Sequence, residues 1–288
     1  RRRVLASMPL PTNTPRVVAL ERLAFADPAI DAIALPGGVL TLRDGFGSGL
    51  ATRAGDPPGT LWAIGDRGPN LKVRTVIDRY GLAALAPLEE HSGAKIMPRP
   101  DLGPAIAELR VEGGRVELVR TLRLSDAAGR PISGLPHPGS AALLSEPVFD
   151  LAGAPLAPDP HGLDAEGIAA LADGGFWVGD EFGPSLVRVD AQGVVRERLL
   201  PGSGLPAIAA RRQLNRGFEA IALAPDERAL LLAFQSPLAH PDADAHKRAR
   251  HVRLWRIGLL ADRAIAQFLY PLDPPESFRR DVAAGCFG

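Results

Sequence analysis

Residues 166–200, EGIAALADGGFWVGDEFGPSLVRVDAQGVVRERLL, decide the fold. Gly167-Ile168-Ala169-Ala170-Leu171 is an apolar run suited to a buried strand. Asp173-Gly174-Gly175 is a tight turn, because glycine takes positive φ without steric cost. Phe176-Trp177-Val178-Gly179-Asp180 is a second strand, stopped by Gly183-Pro184. Ser185 to Asp190 alternates as a half-exposed strand should. Ala191-Gln192-Gly193 turns it, and Val194 to Leu200 returns it. Four antiparallel strands in about 35 residues, apolar first and alternating last, describe one blade of a β-propeller.

The pattern recurs. Ser48-Gly49-Leu50-Ala51 aligns with Glu166-Gly167-Ile168-Ala169 and with Glu219-Ala220-Ile221-Ala222. Leu61-Trp62-Ala63-Ile64-Gly65-Asp66 matches Phe176 to Asp180, and Gly68-Pro69 follows as Gly183-Pro184 does. Leu230 to Gln235 is a looser third copy. A second strand pair at 105–124 turns at Glu112-Gly113-Gly114, which leaves residues 70–100 as an insertion inside the first copy.

These units predict an all-β chain, a single β-propeller domain over 16–288. Its four-stranded antiparallel blades fall at about 48–124, 164–201 and 216–271. Further N-terminal strands are expected at 16–25 and 32–42, after a disordered or processed segment at 1–15. Propellers have at least four blades. Three blades with extra strands therefore predict an incomplete ring and a missing C-terminal part. Open sheet edges predict self-association, because unpaired strands recruit others.

Composition narrows the function. The chain has 288 residues, with 33 basic and 33 acidic side chains and net charge zero, which argues against nucleic-acid binding through bulk charge. No run of 18 apolar residues predicts a membrane span. The single Cys286 excludes an intrachain disulfide and a thiolate metal cluster. No Gly-x-Ser-x-Gly elbow, His-Glu-x-x-His or phosphate-binding Walker loop is present.

The carboxylates carry the chemistry. The first strand of a propeller blade lines the central channel, so Glu166 and Glu219 point into one cavity, with Ser48 in the equivalent place. Converging carboxylates repel unless a positive group lies between them. A hard cation answers this, and calcium accepts six to eight oxygens in a flexible shell. Asp66 and Asn215 complete the expected metal set. Arg67, Arg216 and Asn70 are expected to hold an anionic substrate, since guanidinium binds phosphate in a bidentate fork. Glu181 or Asp180 would take a proton from water. Salt bridges for the arginines, and turn caps for Asp66 and Asp180, are the alternatives. Trp62 and Trp177 read as packing between blades. His137 and His161 read as loop residues facing solvent, and residues 240–253, rich in His and Arg, as a solvated loop.

Ser48-Gly49-Leu50, Asp164-Ala165-Glu166-Gly167-Ile168, Phe176 to Pro184, Asn215-Arg216-Gly217-Phe218-Glu219 and Phe268 to Asp273 together resemble the bacterial phytase-like family, also called "esterase-like activity of phytase". The resemblance runs from about residue 30 to 278. It implies a β-propeller that is exported, so periplasmic or secreted. The combined expectation is calcium-assisted hydrolysis of a phosphate monoester or carboxylic ester, with a small anionic or ester substrate. A non-catalytic binding module with a structural cation, and a lactonase-type calcium propeller, are the alternatives.

Overall fold

The computed structural model describes residues 22–139, 145–242, 244–245, 248–259, 263 and 265–274. The expected segment at 1–15, part of the strand expected at 16–25, Cys286 and several residues of 240–253 lie outside them.

Strands β1 (Ala24–Phe25), β2 (Asp31–Leu35), β3 (Gly38–Leu42), β4 (Phe46–Ala51) and β5 (Thr60–Gly65) come first. Short strands β6 (Leu71–Lys72) and β7 (Lys95–Ile96) flank helix α1 (Val73–Tyr80) and a 3-10 helix at Ala83–Glu90. β8 (Ala105–Glu112), β9 (Arg115–Arg123) and β10 (Val148–Phe149) follow. Then come β11 (Ala165–Ala170), β12 (Phe176–Asp180), β13 (Ser185–Val189), β14 (Val195–Pro201) and β15 (Gly204–Leu205). A 3-10 turn at Ala207–Arg211 leads to β16 (Phe218–Leu223), β17 (Ala229–Phe234), β18 (His251–Gly258) and β19 (Ile265–Pro271).

The described residues are all-β apart from these short helices. Three antiparallel sheets dominate, in the orders β1-β9-β8-β5-β4, β11-β12-β13-β14-β15 and β16-β17-β18-β19. The short edge strands β1 and β15 are joined in parallel to β9 and β14. In the second sheet Gly and Asp turns join four short runs into a meander; the first and third have the same antiparallel order but carry longer connections, at 66–104 between β5 and β8 and at 235–250 between β17 and β18.

The sheets pack face on face. Trp62, Ile64 and Ile106 of the first meet Ile168, Phe176, Val178 and Val187 of the second. Trp62 and Phe176 touch edge to face, with centroids 5.0 Å apart. The opposite side of the second sheet gives Trp177, Leu186 and Leu199 to a core shared with Leu230, Leu232 and Trp255 of the third. Alternation along β12 therefore sends Phe176 and Trp177 to different neighbours. Inner strand β11 lies against β4 and β16 almost backbone to backbone. A Cβ on Gly49 would stand 3.0 Å from the Ile168 nitrogen, and one on Gly167 the same distance from the Ile221 nitrogen.

One expectation needs correction. Residues 32–42 are not one strand but the hairpin β2–β3, turned at Pro36-Gly37. The insertion at 70–100 carries structure of its own. Its strands join β10 in a three-stranded sheet, and Val73, Val76, Leu85, Ile96 and Phe149 form its core.

A carboxylate cluster where three bulged strands meet

Each inner strand is bulged at the same place. In β11 the register moves from Ala165 opposite Asp180 to Gly167 opposite Gly179, which leaves Glu166 unpaired. In β16 it moves from Phe218 opposite Phe234 to Ala220 opposite Ala233, leaving Glu219. In β4 the irregularity spans Phe46 to Gly49 and contains Ser48. A bulge re-aims the extra residue, and bulges recur beside functional sites. Here they bring Ser48, Glu166 and Glu219 together. The charge of Glu219 and the Ser48 hydroxyl both act on the Glu166 carboxyl, the first opposing its ionisation and the second favouring it.

The loops after the second strands supply the rest. Arg67, only 3% exposed, is the centre. Its guanidinium lies 2.6 Å from Asp164 Oδ2, donates to Asn215 Oδ1 at 2.6 Å and to Glu146 Oε2, and has Asp66 Oδ1 3.6 Å from its Nε. Its charged plane also covers the Phe182 ring at 4.6 Å. Asn215 has φ 54, a left-handed conformation that Asn tolerates better than most side chains.

Asp66, Asp164 and Glu166 each place one oxygen so that all three lie within 4.8 Å of one another. Asp164 is fully buried, and among the described residues neither of its oxygens meets a donor in bonding geometry. Its carboxyl lies close to those of Asp66 and Glu166, and ionised carboxyls so close repel one another unless a positive charge or a proton stands between them. Burial accordingly raises Asp164 well above the usual carboxylate range, against the pull of Arg67. Burial also opposes ionisation of Asp66, but the Asp164 contact and Arg67 outweigh it and Asp66 stays low. Burial, with the charges of Asp66 and Glu219, pushes Glu166 up to about 7. Burial, with a proton-sharing contact to Glu219, pushes Glu181 up to about 9. The donor set is entirely hard oxygen, crowded and short of positive charge, which fits an alkaline-earth cation.

The site residues expected from sequence divide by geometry. Glu166, Glu219, Asp66, Asn215, Arg67 and Glu181 come together. Asn70 joins them through an amide 3.5 Å from Asp66. Arg216 lies beside them on the backbone turn from Gln213. Asp180, expected as a proton acceptor, is fully buried and accepts from four donors: the amides of Asp164, Phe182 and Gly183 and the Ser185 hydroxyl. It is the turn cap. Arg67, expected to bind substrate, is enclosed by carboxylates instead. His137 is buried, not solvent-facing, with Nε2 2.8 Å from the Gly162 carbonyl. His161 is exposed.

Asp164, Glu146 and Arg212 were not anticipated. Asp164 was within reach, because it is a second carboxylate only two residues before Glu166. Glu146 sits in a motif-free loop, and Arg212 acts through the backbone, holding the Phe182 carbonyl at 2.8 and 2.7 Å.

Residues 44–285 match the phytase-like family, described as "esterase-like activity of phytase". The chain belongs to that family. This phytase-like chain is 29% identical over 258 residues to an uncharacterized secreted protein of Arthroderma benhamiae. The match takes in 72% of this chain and 47% of the relative. The chain thus spans about half the length of the curated relative it matches. Among solved structures, hydrazine synthase of Kuenenia stuttgartiensis aligns with TM-score 0.29 at 9% identity, covering 62% of this chain and 49% of that one. A periplasmic gluconolactonase of Pseudomonas aeruginosa aligns with TM-score 0.28 at 12% identity, covering 83% and 52%. Likenesses this loose carry no argument. Among the described residues no helix is long and apolar enough to cross a membrane.

Proposed function

We propose that the three sheets are consecutive blades of one propeller domain in an exported protein, and that the carboxylate cluster holds a calcium ion for ester hydrolysis. The substrate class is a phosphate monoester or a carboxylic ester. The observation that carries this is the triple of Asp66, Asp164 and Glu166 oxygens within 4.8 Å, one of them from the fully buried Asp164, where the Arg67 guanidinium is the nearby positive group. One guanidinium does not balance three crowded acids, and a divalent cation offsets the cost of burying the remaining charge.

Asp66, Asp164 and Glu166 would hold the ion, with Glu219 next to them. A bound calcium would polarise the phosphoryl or carbonyl oxygen of the substrate. Glu181 is the acid-base group. Without a cation it keeps its proton through neutral pH and can give it to a leaving oxygen. A nearby positive charge would lower its pKa toward the range where it takes a proton from water. Arg67 fixes Asp164 and Glu146, which leaves Arg216 and Asn70 to orient substrate at the rim.

Calcium calorimetry on the chain and on Glu166→Gln and Glu219→Gln tests the site. Both variants should keep a cooperative melt and lose calcium affinity at least tenfold. If both bind calcium as the parent does, the cluster is not a cation site. A turnover screen with chromogenic phosphate and carboxylic esters, with calcium and then with chelator, separates a hydrolase from a binding module.

A further inference from the structure

A cleft of about 410 Å³ opens beside the cluster, between the first turn of α1, the β6–β7 ladder and Glu146. Lys72 and Lys95 are direct partners in that two-residue antiparallel ladder, and both line the cleft. Residues so opposed project from the same sheet face with Cβ atoms about 4.5–5.5 Å apart, and like charges there destabilise the pair. Among the described residues neither ammonium has a carboxylate within ion-pairing distance. The acids of the cleft are engaged with arginines: Glu146 with Arg67, and Glu89 with Arg74, which Asp78 also holds at 2.7 Å.

The start of α1 adds to the imbalance. Val73 and Arg74 line the cleft. The N-cap position is Lys72, whose side chain makes no capping bond, and the first turn has no acidic residue. A helix start presents unpaired amides and the positive end of the dipole, and normally attracts a carboxylate or hydroxyl oxygen. Two basic residues stand there instead. Lysine occurs only at Lys72, Lys95 and Lys247 in the whole chain, all other basic side chains being arginine. A compact ammonium on a flexible stem suits a point contact with an oxyanion.

We infer that this cleft is a binding site for a small oxyanion, or for the oxyanion end of a larger ligand, held by Lys72, Lys95 and the first amides of α1. The inference stands apart from the calcium site. It places an anion next to that site, because Glu146 lines the cleft and holds the arginine that reaches Asp164.

The test is calorimetric titration of the whole chain with inorganic phosphate, and separately with malonate, in chelator and at an ionic strength fixed with chloride. One saturable site is expected. Phosphate binding would mark the ligand as a phosphate, and malonate binding in its place would mark it as a carboxylate. The double variant Lys72→Gln/Lys95→Gln should bind at least tenfold more weakly, and the double arginine variant should recover part of the loss. In chloride alone the glutamine variant should melt at or above the parent, since it removes a like-charge contact. Unchanged anion affinity in that variant would overturn the inference. So would heats that chloride reproduces, or a glutamine variant that melts well below the parent in chloride.

Discussion

Arg67 is the side chain on which the cluster depends. Its guanidinium holds Asp164, Glu146 and Asn215 while being nearly withdrawn from solvent. Those contacts raise its pKa above the ordinary arginine value against the effect of burial. Arg67→Met preserves much of the volume but leaves buried carboxylates facing one another. Removing one partner of a buried pair typically costs about 3–5 kcal/mol. The variant should therefore melt far below the parent at pH 8. The deficit should shrink at pH 5, because the orphaned carboxyls can then protonate. Chemical denaturation at the two pH values measures both; an equal loss at each would mean that Arg67 acts through packing on Phe182 and not through charge. Sequence made Arg67 visible, beside Asp66 and before a Gly-Pro turn, but not its use. The partner Glu146 lies 79 positions away in a loop without a motif, and only the tertiary fold brings the two together.

At the scale of elements, the repeated bulges explain why three strands aim Ser48, Glu166 and Glu219 at one place. The price of that convergence is close backbone approach at Gly49 and Gly167, where any Cβ would press on the neighbouring strand at 3.0 Å. Gly167→Val puts methyl groups where Ile221 already lies, and overpacking of this kind costs about 1–3 kcal/mol. It should also weaken calcium binding by separating Glu166 from Asp66. Gly47→Ala is the control, since its Cβ would meet nothing closer than a carbonyl at 4.0 Å. Matching melting temperatures for the two variants would show that the inner strands are not closely packed. The strands were legible because each is a short apolar run closed by Gly or Asp turns. The bulges were not, since a one-residue slip in pairing leaves the apolar pattern nearly intact. The parallel β1–β9 contact was equally hidden, because it joins segments about 90 residues apart and has no local turn to announce it.

Across the whole molecule the cluster makes stability a function of both pH and calcium. Glu166 near 7, Glu181 near 9 and the raised Asp164 all bind protons in the folded state that the unfolded chain releases at ordinary carboxylate pH. Stability from a raised acid is complete below its unfolded pKa and is lost as pH climbs through its folded one. Asp66, held low, works in the opposite sense and only in acid. In chelator the protein should therefore lose stability steadily between about pH 5 and pH 9. A cation takes the place of the displaced protons, so calcium binding should release them and tighten as pH rises. At 100 times its dissociation constant, a ligand specific for the folded state adds roughly 2.7 kcal/mol. That increment should be nearly full at pH 8 and small at pH 5, where protons compete for the same oxygens. Thermal melts at the two pH values, with calcium and with chelator, give all four corners of this cycle. A calcium increment that is the same at both would show that the ion sits away from these carboxyls. A chelated protein that grows more stable toward pH 9 would show that the carboxyls are not held protonated by their burial.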